Sequence, residues 1–282
     1  MVATLVIFLR EGVEASLIVA ILLAYLDRSG QRRYFRDVCL GVGAALLLAG
    51  AGGALAYVTI RSYDGSRAQT VFETCTYLLA AAVLTYMTFW MRNHARGLSG
   101  ALRARADAAM TRGARTGMAL LAFQAVGREG LETVVFTLAI AFSTHQEQHA
   151  VLGAVVGLAL ALTVAFAIYK LGHRLNMALF FSIVGATLMV FAAGLLVDAI
   201  QNMQGLGWLP IGTHVLWQTN AILSQDSTWG DIMHSFLGYA DSPTVLQMIA
   251  YLTYTIVALL AFFYAPRRIR RRGKVGSAAG AR

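Results

Sequence analysis

Arg10-Glu11-Gly12-Val13-Glu14 and Arg128-Glu129-Gly130-Leu131-Glu132 are one pattern, Arg-Glu-Gly-apolar-Glu, written twice inside long apolar runs. A charge at the middle of a membrane helix costs roughly 2.5–3.5 kcal/mol on insertion scales, and each pattern sets three charges within one turn or so of helix. At about 100° per residue, Arg10, Glu11 and Glu14 share one side of an α-helix, as do Arg128, Glu129 and Glu132. Each helix therefore bears a stripe of two carboxylates and one guanidinium that cannot face lipid. It must face the other stripe, or a polar path through the membrane.

The rest of the chain supplies that membrane setting. Of its 282 residues 58% are hydrophobic and only 13% charged, against about 25% charged in a soluble domain. Apolar runs long enough to cross a bilayer, about 17–25 residues, fall near 2–26, 38–60, 70–91, 117–142, 151–169, 177–200 and 245–265. The first run lacks a basic leader and holds Arg10, Glu11 and Glu14, so it reads as a retained span rather than a secretion signal. The expected fold is an all-α membrane protein of seven transmembrane helices. It forms a single membrane domain over 1–265 with a basic tail at 266–282. Cys39 and Cys75 form neither a CxxC pair nor a zinc-type spacing, and no disulfide framework is expected.

Charge sets the orientation. The net charge is +9, yet the basic residues are grouped. Apart from Arg10 and Arg128 they cluster after the first, third, fifth and seventh runs, and only Arg61 and Arg67 fall elsewhere. By the positive-inside rule those clusters are cytoplasmic, the N-terminus is outside and the C-terminus inside. The basic charge is thus a topology signal, not a sign of nucleic-acid binding. The other side collects acidic residues (Asp64, Glu73, Glu147, Asp198, Asp226, Asp231, Asp241) and four histidines (His145, His149, His214, His234). Such a surface attracts cations, although exclusion of Lys and Arg from that side produces some of the same asymmetry.

In this topology the first and fourth spans run in opposite directions while carrying the same motif. The expected organisation is a 3+3 inverted repeat, with half-repeats at about 1–92 and 117–200, an outer segment at 201–244 and an added seventh span at 245–265. Inverted repeats hold their substrate near the midplane where the halves meet. At 1.5 Å per residue Arg10 lies about 12 Å, and Glu132 about 15 Å, below the outer end of its helix, so the stripes can meet. Gly12 and Gly130 allow close helix approach. The four carboxylates and two guanidinium groups leave a formal −2, or −3 with Glu73 near the outer end of the third span. A confined oxygen-rich site of that charge suits a hard or borderline multivalent cation. Arginine, which keeps its proton, holds the neighbouring carboxylates ionised and can close on them when no cation is bound.

The paired motifs resemble the iron permease family that includes the fungal oxidase-coupled permeases and the bacterial EfeU-type transporters. The resemblance covers nearly the whole chain. Further shared features are Glu73, Phe89-Trp90-Met91-Arg92 closing the third span, and Gly238-Tyr239 with Pro243 before the seventh. It implies high-affinity import of iron ions across the plasma membrane, the inner membrane of a bacterium, by a multi-pass permease that is not an enzyme. It implies iron coordination by Glu11, Glu14, Glu129 and Glu132, with iron as cargo and no permanently bound cofactor. It also implies an extracytoplasmic partner that oxidises or presents iron, either a multicopper oxidase or a periplasmic peroxidase and binding protein. The sixth span has no acidic residue aligned with Glu73, so that carboxylate is not duplicated.

Residues at the outer side form a second tier. His145-Gln146-Glu147-Gln148-His149 has H-x-E-x-H spacing in what reads as a short outer loop, either a capture site for iron or a solvated turn. Trp229 to Leu237 reads as a short helix with Asp231 and His234 on one face, and Asp198 lies near the outer end of the sixth span. These residues are candidates for an outer access route, and interfacial structure explains them equally. Two other readings use the same motifs: import of another divalent metal such as lead or manganese, and an intramembrane glutamate-dependent hydrolase. The latter chemistry usually needs histidine beside the glutamate or a bound metal, and no histidine neighbours either motif. The oxidation state of the iron stays open: all-carboxylate ligation leans toward ferric ion, and ferrous ion accepts the same ligands.

Overall fold

In a bilayer every backbone N–H and C=O of an apolar run must be satisfied within the run, and the α-helix does this. The structure, a computed structural model, describes residues 1–63, 65–94, 98–111, 113–143, 147–171, 177–225 and 227–264. The long helices are α1 (Val2–Arg28), α2 (Phe35–Arg61), α3 (Arg67–His94), α5 (Ala114–Ser143), α6 (Glu147–Leu171), α7 (Met177–Gly205) and α9 (Val245–Tyr264). Two shorter ones, α4 (Leu98–Thr111) and α8 (Thr228–Leu237), and a 3₁₀ turn at Arg32–Tyr34 complete the described helical elements. Each apolar run of the sequence lies within a few residues of one long helix. Among the described residues five segments are long and apolar enough to cross a membrane: Arg32–Arg61, Arg67–Met91, Ala150–Ala167, Leu179–Gly205 and Val245–Tyr264. α1 and α5 are as long, and what sets them apart is the three charges in the motif of each.

The ends follow local chemistry. α1 closes on Gly30, whose φ of +67° is the left-handed conformation that glycine adopts without strain. The Gln31 N–H donates to the Leu26 carbonyl at 2.8 Å there, capping the last turn. α8 begins where the Ser227 hydroxyl accepts from the Gly230 N–H at 3.0 Å, and it ends at Gly238, φ +68°. The basic stretch after the third run, read from sequence as a loop, contains α4. Leu102 and Ala106, spaced i,i+4, are buried in one apolar cluster with Leu22 and Leu26 of α1 and Met118 and Ala122 of α5. The Tyr25 hydroxyl also bonds the Asp107 carboxylate, tying α1 to α4.

α1 and α5 pack against each other at the centre; α6 lies along α1, and α2 along α5. α3 pairs with α7, and α9 flanks α7. The two larger apolar cores lie one on each side of the charged layer, and a smaller one joins α7 to α9. Ile7 of α1 and Phe136, Ala139 and Ile140 of α5 pack with Leu84 of α3 and Leu188 of α7 on the side of the α1 N-terminus. Ile18, Leu22 and Leu26 pack with Val38, Met118 and Val126 on the side of Arg28. The motif charges sit between these two cores.

Candidate metal centre

The first motif is deeply buried. Arg10 is 2% exposed, and its Nη1 donates to Glu11 Oε1 at 3.0 Å. Its Nε lies 3.2 Å from Glu14 Oε1, one turn on. That contact is close enough for an ion pair but is poorly aligned as a hydrogen bond, since Glu14 Oε1 has no hydrogen-bond partner. In the second motif Arg128 donates from Nε to Glu132 Oε1 at 2.9 Å, and its side chain is 42% exposed against 13% for Glu132. The Arg128 guanidinium also lies over the Trp90 ring, 4.7 Å from its centroid.

The two motifs converge. One carboxylate oxygen each from Glu11, Glu14 and Glu129 lie within 4.8 Å of one another, all three residues buried. Glu11 Oε2, Glu14 Oε1, Glu129 Oε2 and Glu132 Oε2, with Arg10 Nη2, are buried and lack a hydrogen-bond partner within the protein. Buried polar atoms are nearly always paired, so this concentration of unshared oxygens makes the cluster the candidate site. An all-oxygen cluster of this kind suits a hard or borderline cation.

Glycine makes the approach of the neighbouring helices feasible. A Cβ on Gly12 would lie 2.7 Å from Ala161 Cβ of α6, and one on Gly130 would lie 2.9 Å from Ala49 Cβ of α2. The glycine in each motif thus faces its flanking helix, and the carboxylates face across the α1–α5 seam. A cavity of about 1530 Å³ opens from Glu11 and Glu129 toward Asp27, Arg28, Arg32 and Arg103. Arg32 is bonded to Asp27 there and holds that carboxyl below the usual carboxylate range. On the opposite side the core around Ile7 and Phe136 closes the site.

The remaining sequence-predicted residues separate. Glu73 accepts from Gln69 Nε2 at 2.8 Å on α3 and is outside the cluster of three carboxylates. Asp198 and His234 meet each other: both are buried, with His234 Nε2 3.4 Å from Asp198 Oδ1. Ser143, at the end of α5, donates to Asp198 Oδ2 at 2.8 Å. His234 Nδ1 is 2.7 Å from the Tyr239 carbonyl, which can only accept, so Nδ1 carries a proton. His145 lies outside the described residues. Glu147 and His149 belong to the first turn of α6 rather than to a loop, and Asp231 to α8; only their backbone is described. The sequence reading missed Ser143, whose hydroxyl carries no motif, and Ala161 and Ala49, ordinary residues in apolar runs.

Comparison with known proteins fits this architecture. Residues 1–274 match the iron permease FTR1 family. The chain is 36% identical over 263 residues to proteins named ferrous iron permease EfeU from Escherichia coli O6:K15:H31 (strain 536) and Yersinia pestis, covering 93% of this chain and 95% and 93% of theirs. The Shigella sonnei protein of the same name is likewise 36% identical over 263 residues. No solved structure matches the chain. With helices able to cross the membrane and a family match over nearly its full length, the chain is a multi-pass membrane permease, not an enzyme, and belongs to the iron permease FTR1 family.

Proposed function

We propose that this permease imports iron across the plasma membrane, with Glu11, Glu14 and Glu129 as the ion's principal ligands. The observation that carries this reading is the convergence of three carboxylates from two separate motifs on one buried point. The names of its relatives favour ferrous ion as the species moved. Glu132 stands behind the cluster with Arg128, and Glu73, with the outer residues Asp198, Asp231, His234 and the H-x-E-x-H turn, serves access rather than coordination.

The topology that goes with this function has seven spans, N-terminus outside, C-terminus inside, and two inverted halves. Supporting it, α1 lies on α6 as α5 lies on α2, and each motif glycine meets an alanine of the flanking helix. In this orientation the site is shut outward by the Ile7–Phe136 core and open inward through the cavity. An arriving ion draws Glu11 and Glu14 away from Arg10, exchanging one positive partner for another. The exchange keeps the carboxylates compensated throughout, which matters because an unpaired buried charge is very costly. The ion reaches the outer face from an extracytoplasmic protein that oxidises or presents it.

The test is uptake of radiolabelled iron in cells and in proteoliposomes, comparing wild type with Glu14→Ala, Glu132→Ala and Arg10→Lys, and with other divalent metals as competitors. Loss of uptake in Glu14→Ala, with normal insertion into the membrane, is expected. Full uptake by that variant overturns the site, and preferential displacement of iron by lead or manganese overturns the cargo.

A further inference from the structure

The cavity is far wider than an ion needs. Its volume of about 1530 Å³ exceeds the roughly 300–1,000 Å³ of small-molecule pockets, and most of its wall is apolar. α1 and α5 form its floor, while Leu46 of α2 and Leu162 and Phe166 of α6, all exposed, stand on its two flanks. α2 and α6 do not pack along each other, so the trough between them is open sideways. In a membrane protein a sideways opening faces acyl chains. At its far end the trough meets Arg28, Arg32 and Arg103, with one carboxylate, Asp27, already bonded to Arg32.

The length identifies the occupant. From Glu11, which lines the trough, to Arg28 is 17 helical residues, about 26 Å along the helix at 1.5 Å per residue and less in depth for a tilted helix. Half of a bilayer including headgroups is about 20–22 Å. The trough therefore runs from the carboxylate layer to the headgroup layer of one leaflet, apolar along its course and positive at its end. We propose that a single anionic phospholipid closes this opening, its phosphate among Arg28, Arg32 and Arg103 and an acyl chain along α2 and α6 toward the motif layer. A second copy of the chain fits less well, because a two-fold interface over this face sets like arginines against one another. Binding of the lipid stands on the trough alone. A consequence rests on the proposed transport: a cation leaving past three arginines meets repulsion, and a phosphate among them removes it.

The test uses the full-length protein purified in mild detergent, without iron. Phosphatidylglycerol and phosphatidylcholine are offered in equal amounts, and bound lipid is read by native mass spectrometry. The expected result is one retained phosphatidylglycerol, preferred about tenfold, a difference of about 1.4 kcal/mol. The double variant Arg28→Ala, Arg103→Ala loses the preference, and Leu162→Trp loses retention while leaving the charge unchanged. Equal retention of the two lipids, or none, overturns the proposal. So does displacement by inorganic phosphate alone, which identifies a free-anion site. A Leu162→Cys variant that cross-links between copies overturns it in favour of a dimer. Because iron is absent, failure here leaves the iron reading untouched, and failed iron uptake leaves lipid retention untouched.

Discussion

The two Arg-Glu-Gly-x-Glu copies have the same letters and different surroundings. Arg10 is enclosed between Glu11 and Glu14 and almost fully buried. Arg128 is partly open, pairs with Glu132 alone and rests on Trp90. Because Arg128 is turned to Glu132, Glu129 is left to reach across and join the first motif's carboxylates. Identical patterns thus divide the labour: one arginine neutralises the cluster, and the other leaves a carboxylate free to join it.

The sharpest way to break that comparison is to remove each arginine in turn. Arg10→Leu strands two buried carboxylates, a change that costs about 3–5 kcal/mol when a buried partner is removed, and the variant is expected to unfold or fail to accumulate. Arg128→Leu, at a half-open site, costs about 1 kcal/mol or less. Thermal unfolding in detergent measures both, and equal losses refute the asymmetry. Next come the glutamates. Glu129→Gln is expected to abolish iron uptake, whereas Glu132→Gln, a supporting group, lowers it by about 10–100-fold, the range for residues that orient ligands; reversal of this order in transport assays would exchange their roles.

The glycines probe where the two motifs are alike. Gly12→Leu and Gly130→Leu each overpack a tight helix contact, at about 1–3 kcal/mol. Each loss is expected to be relieved by its own partner change, Ala161→Gly or Ala49→Gly, and by no other. Cross-relief in the stability measurements would show that the flanking contacts are not local. The smallest effect belongs to Trp90→Leu, which removes a cation–π contact of about 0.5–1 kcal/mol and leaves uptake near wild type. A large uptake defect there would make Arg128, not Arg10, the sensitive arginine.

Much of this was legible in the sequence. Hydrophobic runs locate the long helices because lipid leaves the backbone few alternatives, and three charges in five residues single out α1 and α5. Glycine at the centre of each motif foretells close packing. What a linear pattern lacks is the neighbour. Nothing in Arg128 says that Trp90 lies under it, and the 36-position separation of Asp198 and His234 hides their contact. Glu73 looks like a fifth ligand by charge and depth, yet its carboxylate is bonded to Gln69 on its own helix, and α3 packs mainly on α7. α4 escaped because it lies in the arginine-bearing connection between two spans and its apolar face is only a few residues wide.

The glycine contacts have a mechanical consequence. Gly12 against Ala161, with Gly157 backed on Leu5, leaves no slack between α1 and α6; Gly130 against Ala49, with Gly41 on Ala119, does the same for α2 and α5. Neither couple can slide internally without a collision of backbones, so each behaves as a stiff beam. The compliant joint is the seam between the beams, and that seam is where the carboxylates sit. On the proposed coordination, an ion gripped by Glu11, Glu14 and Glu129 would be a rivet across the joint that must give way for it to leave, so tight capture would bring slow release.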